Sequence, residues 1–344
     1  MKAVVCREYG GLDAARLEEV SSPTIRPGCV RIRVEVCSAS FASLLVMEGK
    51  HQNKAPLPLI PGTELAGVIT EVGEGASRFA IGDRVIAGVP SGAYAQEVVA
   101  PEETVFALPD GVSFDTGAQI PTIYGTAFGA FAWRAKVEPG EVVLVHGAGG
   151  GSGLAAIEVA KALGARVIAT AGSEEKAAIA RVHGADLAIN YRTENWREAV
   201  LAATHARGAD VIYDPVGGET FDISLRCIAP DGRIIPMGFA SGTIPTIPAN
   251  IVLVKNITVI GVYWGYYFGW GKHPVPATND TRLRRTYAQL FAWVLEQKLR
   301  PRAHAVLPLA NFREALEMIA SREVIGRVLM RPQQETAPSA SKTT

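Results

Sequence analysis

A chain of 344 residues with 34 basic and 34 acidic side chains has no formal net charge, which excludes the charge surplus of a nucleic-acid or anionic-membrane binder. The length suffices for two domains with sizeable cores, and no apolar run is long enough to span a bilayer. The opening MKAVVCREYG lacks the apolar core and cleavage site of a secretory signal, and Cys6, Cys29, Cys37 and Cys227 show neither disulfide nor C-x-x-C spacing, so the expected setting is a reducing cytoplasm.

Up to about residue 122 the chain carries short valine-rich runs, Val30 to Val36, Gly67 to Val72 and Arg84 to Ala87, separated by Gly and Pro. This pattern predicts a Gly-rich, mostly antiparallel β domain over residues 1–122. Val142 to Val145 is then a short β-branched run suited to a parallel strand buried on both faces. Leu154, Ile157, Ala160, Lys161 and Leu163 follow at helical spacing, Gly164 closes that helix, and Arg166 to Thr170 is the next strand. The strand candidates Leu187 to Asn190, Asp210 to Tyr213, Arg233 to Met237 and Ile257 to Val262 alternate with helical stretches such as Glu194 to Ala203. The alternation predicts an α/β fold, a doubly wound parallel Rossmann sheet, over residues 123–262. An aromatic loop, Tyr263 to Trp270, and an amphipathic helix from about Thr281 to Gln297 follow, and residues 263–332 are expected to return to the first domain. Residues 333–344, QQETAPSASKTT, are small and polar and read as a disordered tail.

The turn between the strand at Val142 and its helix is rich in glycine. In the frame G-x-G-x-x-G, Ala148, Gly150 and Gly153 take the three key positions, with Gly149, Gly151 and Ser152 between them. Ala148 is assigned to the tight turn, Gly150 to close approach of a pyrophosphate and Gly153 to packing of helix on strand, so that phosphates meet the free amides of the helix start. The end of the second strand selects the cofactor. A carboxylate there would bond the ribose hydroxyls of NAD, yet the chain offers Ala171, Gly172 and Ser173, then Lys176, a hydroxyl and an ammonium suited to a 2′-phosphate. Glu174 and Glu175 weaken that contrast, but both also suit the first turn of a helix running to Val182. The expected cofactor is NADPH.

The run PGTELAGVITEVGEGASRFAIGDRV (Pro61 to Val85), the AGGGSG turn, INYR (Ile189 to Arg192), YDPVGG (Tyr213 to Gly218) and the late IGRVLM occur in one order. In this the chain resembles the medium-chain dehydrogenase/reductase superfamily, specifically its zinc-independent quinone oxidoreductase branch. The resemblance covers nearly the whole chain and implies a GroES-like first domain. Where zinc-dependent relatives carry Gly-His-Glu, this chain has Gly62, Thr63 and Glu64. Their first ligand cysteine aligns with Ser40, and Ile120 to Tyr124 supplies no second one, so no metal is expected. Cys37 alone reads as a small buried hydrophobe. Without a Lewis acid, the expected reaction is hydride transfer to an acceptor that is already electrophilic, a quinone or an activated alkene.

The same resemblance implies that Lys176, Tyr191 and Arg322 hold the 2′-phosphate. It also implies that Gly217, Gly218, Gly238 and Phe239 line the nicotinamide ribose, with Asn250 a weaker candidate. On the acceptor side the chain departs from the family's N-F-x-D stretch: it reads SFAS, Ser40 to Ser43, and His51 stands where related reductases place a tyrosine. Ser40 is a candidate hydrogen-bond donor to the acceptor. His51 is a candidate proton donor, because imidazoles titrate near neutrality, or else a plain loop residue. Tyr124, beside the expected nicotinamide position, competes with it, or else packs in the core. The aromatic loop, with Gly265, Gly269 and Gly271, reads as a lid over a small apolar or aromatic electrophile. The resemblance also implies a homodimer contact through edge strands, for which Ile257 to Val262 is the candidate, and both readings can hold because the strand and the loop adjoin. The acceptor stays open between a quinone, an α,β-unsaturated carbonyl and an enoyl thioester or acrylate. A different class, an NADPH-binding scaffold with little turnover, is also open.

Overall fold

The computed structural model describes residues 1–51, 54–270 and 279–334. Its strands in chain order are β1 (Lys2–Cys6), β2 (Ala15–Glu19), β3 (Cys29–Ser38), β4 (Glu64–Val72), β5 (Arg84–Gly88), β6 (Glu97–Pro101), β7 (Val105–Ala107), β8 (Val142–Val145), β9 (Arg166–Ala171), β10 (Leu187–Asn190), β11 (Ala209–Asp214), β12 (Ile228–Pro236), β13 (Thr258–Val259), β14 (Ala303–Pro308) and β15 (Arg327–Arg331). In the described residues the chain divides into two compact units. One comprises 1–122, 265–288 and the residues from 303 on; the other comprises 123–264 and 289–302.

The first unit is built on a sheet of order β14-β15-β3-β4-β5-β7, with β6 also paired to β3; β1 and β2 form a separate antiparallel pair. All pairings in the large sheet are antiparallel except β14 with β15. Along β3, Val30, Ile32, Val34 and Val36 are buried and alternate with Arg31, Arg33 and Glu35, the period of a half-buried strand. Val30, Ile32 and Val34 pack with Leu65, Ile69, Val85 and Tyr94. Where β3 bulges against β4, a Cβ on Gly67 would lie 2.1 Å from the Arg33 carbonyl oxygen, so only glycine fits.

The second unit holds six strands in the order β10-β9-β8-β11-β12-β13, every pairing parallel. Leu144, Ile168, Ile189, Ile212 and Ile234 form its buried centre. Near-continuous apolar runs are what a sheet covered by helices on both faces requires. The strand order reverses between β8 and β11, so the carboxyl ends of those two strands make the switch point at which such sheets bind ligands.

Three expectations need correction. The return segment is divided, because residues 289–302 group with the second unit: Trp293 packs against Phe128 at 5.7 Å between ring centres, and the Arg300 amide donates to the Glu158 carboxylate. The expected strand Ile257 to Val262 is only the two residues of β13, since its neighbour β12 ends at Pro236, which has no N–H to extend the ladder. The aromatic loop is not a free lid. Trp264 is buried against the bare faces of Gly125 and Gly129, where added Cβ atoms would come within 2.6 and 2.5 Å of its indole, and Phe268 is buried against Gly88, Phe106 and Tyr287. Only Tyr263 and Tyr266 of that stretch are well exposed. Gly271 and residues 335–344 of the expected tail lie outside the described residues, while Gln333 donates to the Val34 and Gln96 carbonyls. No helix among the described residues is long and apolar enough to cross a membrane.

Candidate functional site

The switch point is built by the second unit alone. After β8 the backbone turns at Gly147, whose φ of +65° suits glycine, so the left-handed position falls one residue before Ala148. Ala148 is buried and its amide donates to the Thr170 carbonyl at 3.0 Å, tying the turn to β9. This explains why alanine is tolerated in the first glycine position of the frame. A Cβ on Gly153 would lie 2.3 Å from the Gly147 carbonyl oxygen, so the helix Gly151–Ala162 packs onto the turn only because that atom is absent.

Gly150 is the cap of that helix and offers no side chain to it. The first helical bond runs from the Leu154 amide to the Gly150 carbonyl, which leaves the amides of Gly151, Ser152 and Gly153 as the unsatisfied positive end of the helix. A Cβ on Gly150 would meet only the Gly147 carbonyl oxygen, at 3.6 Å, so an open face lies beside those amides. Such a cradle fits the pyrophosphate of a dinucleotide. The Ser152 hydroxyl is turned aside, 2.7 Å from the Tyr213 hydroxyl.

Two further residues close on this turn. The Lys176 stem lies where a Cβ on Gly149 would be, at 2.6 Å, and the Tyr191 hydroxyl lies 2.6 Å from the Cβ position of Gly172. Ser173 accepts the Lys176 amide at 3.2 Å and caps the helix Glu174–Val182, which leaves its own hydroxyl proton to donate elsewhere. Glu174 pairs with Arg181 at 2.7 Å, as befits a helix-surface carboxylate. The structure thus brings Lys176, Tyr191 and Ser173 together at the end of β9. Arg322 belongs to the first unit, as the left-handed cap after the helix Phe312–Ser321.

At the end of β11, Asp214 is fully buried and its Oδ1 accepts from the amides of Val216 and Gly217 at 2.8 and 3.0 Å. Gly217 has φ +71°, and its Cβ would lie 3.1 Å from the Phe239 ring; the Ala240 and Ser241 amides donate back to the carbonyls of Pro215 and Val216. Gly217, Gly238 and Phe239 therefore share one cluster beside the switch point. Asn250 is exposed near the start of the helix Ala249–Lys255. Asp214 itself was given no role by sequence reasoning; its Oδ2 has no partner among the described residues, and burial pushes its carboxyl up.

His146, the residue between β8 and the turn, was missed as well. Its Nδ1 lies 2.8 Å from the Thr170 hydroxyl and its Nε2 2.9 Å from the Ser224 hydroxyl, so one buried ring ties β8 to β9 and to the helix Glu219–Cys227. Burial lowers its pKa to about 3, which keeps it neutral.

The candidate donors fare differently. Tyr124 is buried in the second unit, with its hydroxyl donating to Glu158 Oε2 at 2.7 Å. Burial, then the adjacent carboxylate, pushes the phenol well up. Its proton is committed to a core carboxylate, and the core-packing alternative is the one the structure takes. Glu158 also meets His183 Nδ1 at 2.7 Å and the Arg300 amide at 3.1 Å or less, so no lone buried charge results. In the first unit, Ser40 caps the helix Phe41–Met47, and the half-buried His51 donates its amide to the Leu45 carbonyl at 3.1 Å. Glu64 forms a buried ion pair with Arg327 and accepts the Thr122 amide at 3.0 Å. Among the described residues no group of three or more His, Cys, Asp or Glu side chains is placed to hold a metal ion.

Comparison with known proteins agrees with this geometry. Residues 26–110 match the alcohol dehydrogenase GroES-like domain, and residues 151–277 match the family described as zinc-binding dehydrogenase. A quinone oxidoreductase-like protein 2 homolog of Nematostella vectensis is 38% identical over 97% of this chain and 89% of its own length. The structure of Escherichia coli quinone oxidoreductase complexed with NADPH superposes with a TM-score of 0.87 at 26% identity, covering 96% of this chain and all of the other. A 2-haloacrylate reductase superposes with a TM-score of 0.83 at 30% identity, covering 97% of this chain and all of the other.

Two outcomes follow from the cradle and its support. Gly150→Ala has room and an ordinary backbone conformation, so its melting temperature should match wild type while its affinity for a nicotinamide dinucleotide falls about tenfold or more. Equal affinity would remove the backbone from the binding site. His146 has a folded pKa below its unfolded value of about 6.5, so the fold gains from the neutral ring above that pH and loses the gain as pH falls toward 3, at up to about 1.4 kcal/mol per unit. Urea unfolding at pH 7 and pH 5 should show this loss in wild type and a smaller one in His146→Gln; equal slopes would contradict it.

Proposed function

Because the chain belongs to the quinone oxidoreductases of the medium-chain dehydrogenase/reductase superfamily, and is an oxidoreductase with their nicotinamide-binding fold, we propose that it is an NADPH-dependent reductase of quinones or α,β-unsaturated carbonyls working without zinc. The observation that supports the choice of cofactor is the end of β9, where Ala171, Gly172 and Ser173 supply no carboxylate and Lys176 and Tyr191 lie against Gly149 and Gly172. When bound, the cofactor supplies a hydride to an electron-poor carbon. Lys176 and the Ser173 hydroxyl bind the 2′-phosphate by charge and hydrogen bond. The amides of Gly151, Ser152 and Gly153 take the pyrophosphate, and Gly217, Gly238 and Phe239 border the nicotinamide ribose. Ser40 and His51 are the donors to the oxygen on which charge collects. Ser40 and Thr63 stand at the positions of two zinc ligands in metal-dependent relatives, where a zinc ion would lower the pKa of a bound alcohol, and neither is a Cys or His ligand. That supports reduction over alcohol oxidation.

The likeness to a 2-haloacrylate reductase favours a second acceptor class, an activated carbon–carbon double bond next to a carboxylate or thioester. A panel of quinones, enones and acrylates in an NADPH-consumption assay separates the acceptors, and no turnover with any of them, despite tight NADPH binding, would favour a scaffold. Within the active case, Lys176→Ala should raise the KM for NADPH about tenfold or more and leave that for NADH within about twofold. Equal changes for both cofactors would remove Lys176 from the phosphate site.

A further inference from the structure

His51 stands just beyond the short helix Phe41–Met47, whose last turn fixes the near side of its backbone. Gly49 turns the chain there with a φ of +69°, and the Lys50 and His51 amides then share one acceptor, the Leu45 carbonyl, at 2.8 and 3.1 Å. A side chain from the start of the sequence meets this stretch. The Cβ that Gly49 lacks would lie 2.9 Å from Tyr9 Cγ, so the Tyr9 ring rests on bare backbone, and the Tyr9 hydroxyl donates to the Ala55 carbonyl at 2.6 Å. Tyr9 therefore touches the chain on both sides of His51 in sequence.

Tyr9 is itself anchored. The Gly10 amide donates to the Met47 carbonyl at 3.2 Å, and Cys6, at the end of β1, exchanges both of its backbone hydrogen bonds with Leu59, at 2.8 and 2.9 Å. Packing alone does not account for a tyrosine here. Its side chain is 38% exposed, and a phenylalanine would fill the same space without reaching Ala55. We propose that Tyr9 is a positioning residue, a clamp on Gly49 and Ala55 that fixes the backbone of His51 so that the imidazole serves the acceptor oxygen. No proton passes through Tyr9.

The consequence is a dependence of rate on a residue that never touches the acceptor. A donor helps only while it stands within hydrogen-bond reach of the oxygen on which charge collects, and a small drift of its backbone forfeits most of that help. Ring and hydroxyl divide the work. The ring restrains Gly49 and the hydroxyl ties Ala55, so removing the hydroxyl alone costs less than removing both. The glycine turn that takes the cofactor belongs to the other unit, so NADPH affinity is independent of Tyr9. This rests on His51 being a donor to the acceptor in the proposed reductase.

The test is single-turnover NADPH oxidation by the full chain with a quinone that wild type reduces, comparing Tyr9→Phe, Tyr9→Leu, His51→Phe and the double variant Tyr9→Leu/His51→Phe. The clamp requires Tyr9→Leu to slow hydride transfer about tenfold and Tyr9→Phe, which keeps the ring, about threefold, each with NADPH affinity unchanged. It also requires the double variant to be no slower than His51→Phe, because Tyr9 acts only through His51. Should Tyr9→Leu not fold, Tyr9→Phe, alone and combined with His51→Phe, carries the test. Multiplying losses in the double variant, or a wild-type rate in Tyr9→Leu beside a slow His51→Phe, would overturn the clamp alone. A wild-type rate in His51→Phe would overturn it too while leaving the reductase reading standing. If wild type reduces no acceptor, the reductase reading itself fails and the clamp with it.

Discussion

The second unit depends on an unfinished helix. Three amides at the start of Gly151–Ala162 have no partner in their own helix, and the residue that would ordinarily cap them, Gly150, has no side chain. Leaving polar groups unsatisfied costs stability in a folded chain unless something outside it completes them. Everything around the turn holds this incomplete end open. Gly147 reverses the backbone, Gly153 lets the helix approach, and Ala148 pins the turn to β9.

Such a site needs rigid support, because an amide cradle misplaced by an ångström loses most of its value. Two buried polar knots provide it. His146 joins β8, β9 and the helix Glu219–Cys227 through hydroxyls, and being neutral it does so without burying a charge. Glu158, two turns into the dinucleotide helix, gathers Tyr124, His183 and the Arg300 amide. His183 caps the helix whose other end carries Ser173 and Lys176, so the pyrophosphate cradle and the phosphate-selecting residues share a frame. Removing one partner from Glu158 would leave a buried carboxylate short of donors, a far larger cost than an exposed pair such as Glu174 with Arg181 could involve.

Much of this architecture was legible in the sequence, for identifiable reasons. β8 and β10 fall on the predicted residues because short, largely apolar runs between turn signals have few other readings. The helix Glu174–Val182 was readable from its acidic first turn, while the capping by Ser173 was not read. What escaped were contacts between residues far apart in the chain. Nothing local marks Tyr124 as the partner of Glu158, or His146 as the partner of Ser224. The aromatic loop misled because composition cannot show that Gly125, Gly129 and Gly88 present flat faces for Trp264 and Phe268. The frame names positions in the turn but not its backbone conformation, and sterics decide that Gly147, just before the frame, takes the positive φ.

The central claim is that the bare amides of the glycine turn hold the cofactor. Hydrogen–deuterium exchange of the full chain with and without NADPH tests it most directly. Saturating NADPH should slow exchange most in the segment 147–154, with a second protected stretch at 172–176. Cofactor binding that left 147–154 exchanging at its original rate would contradict the claim.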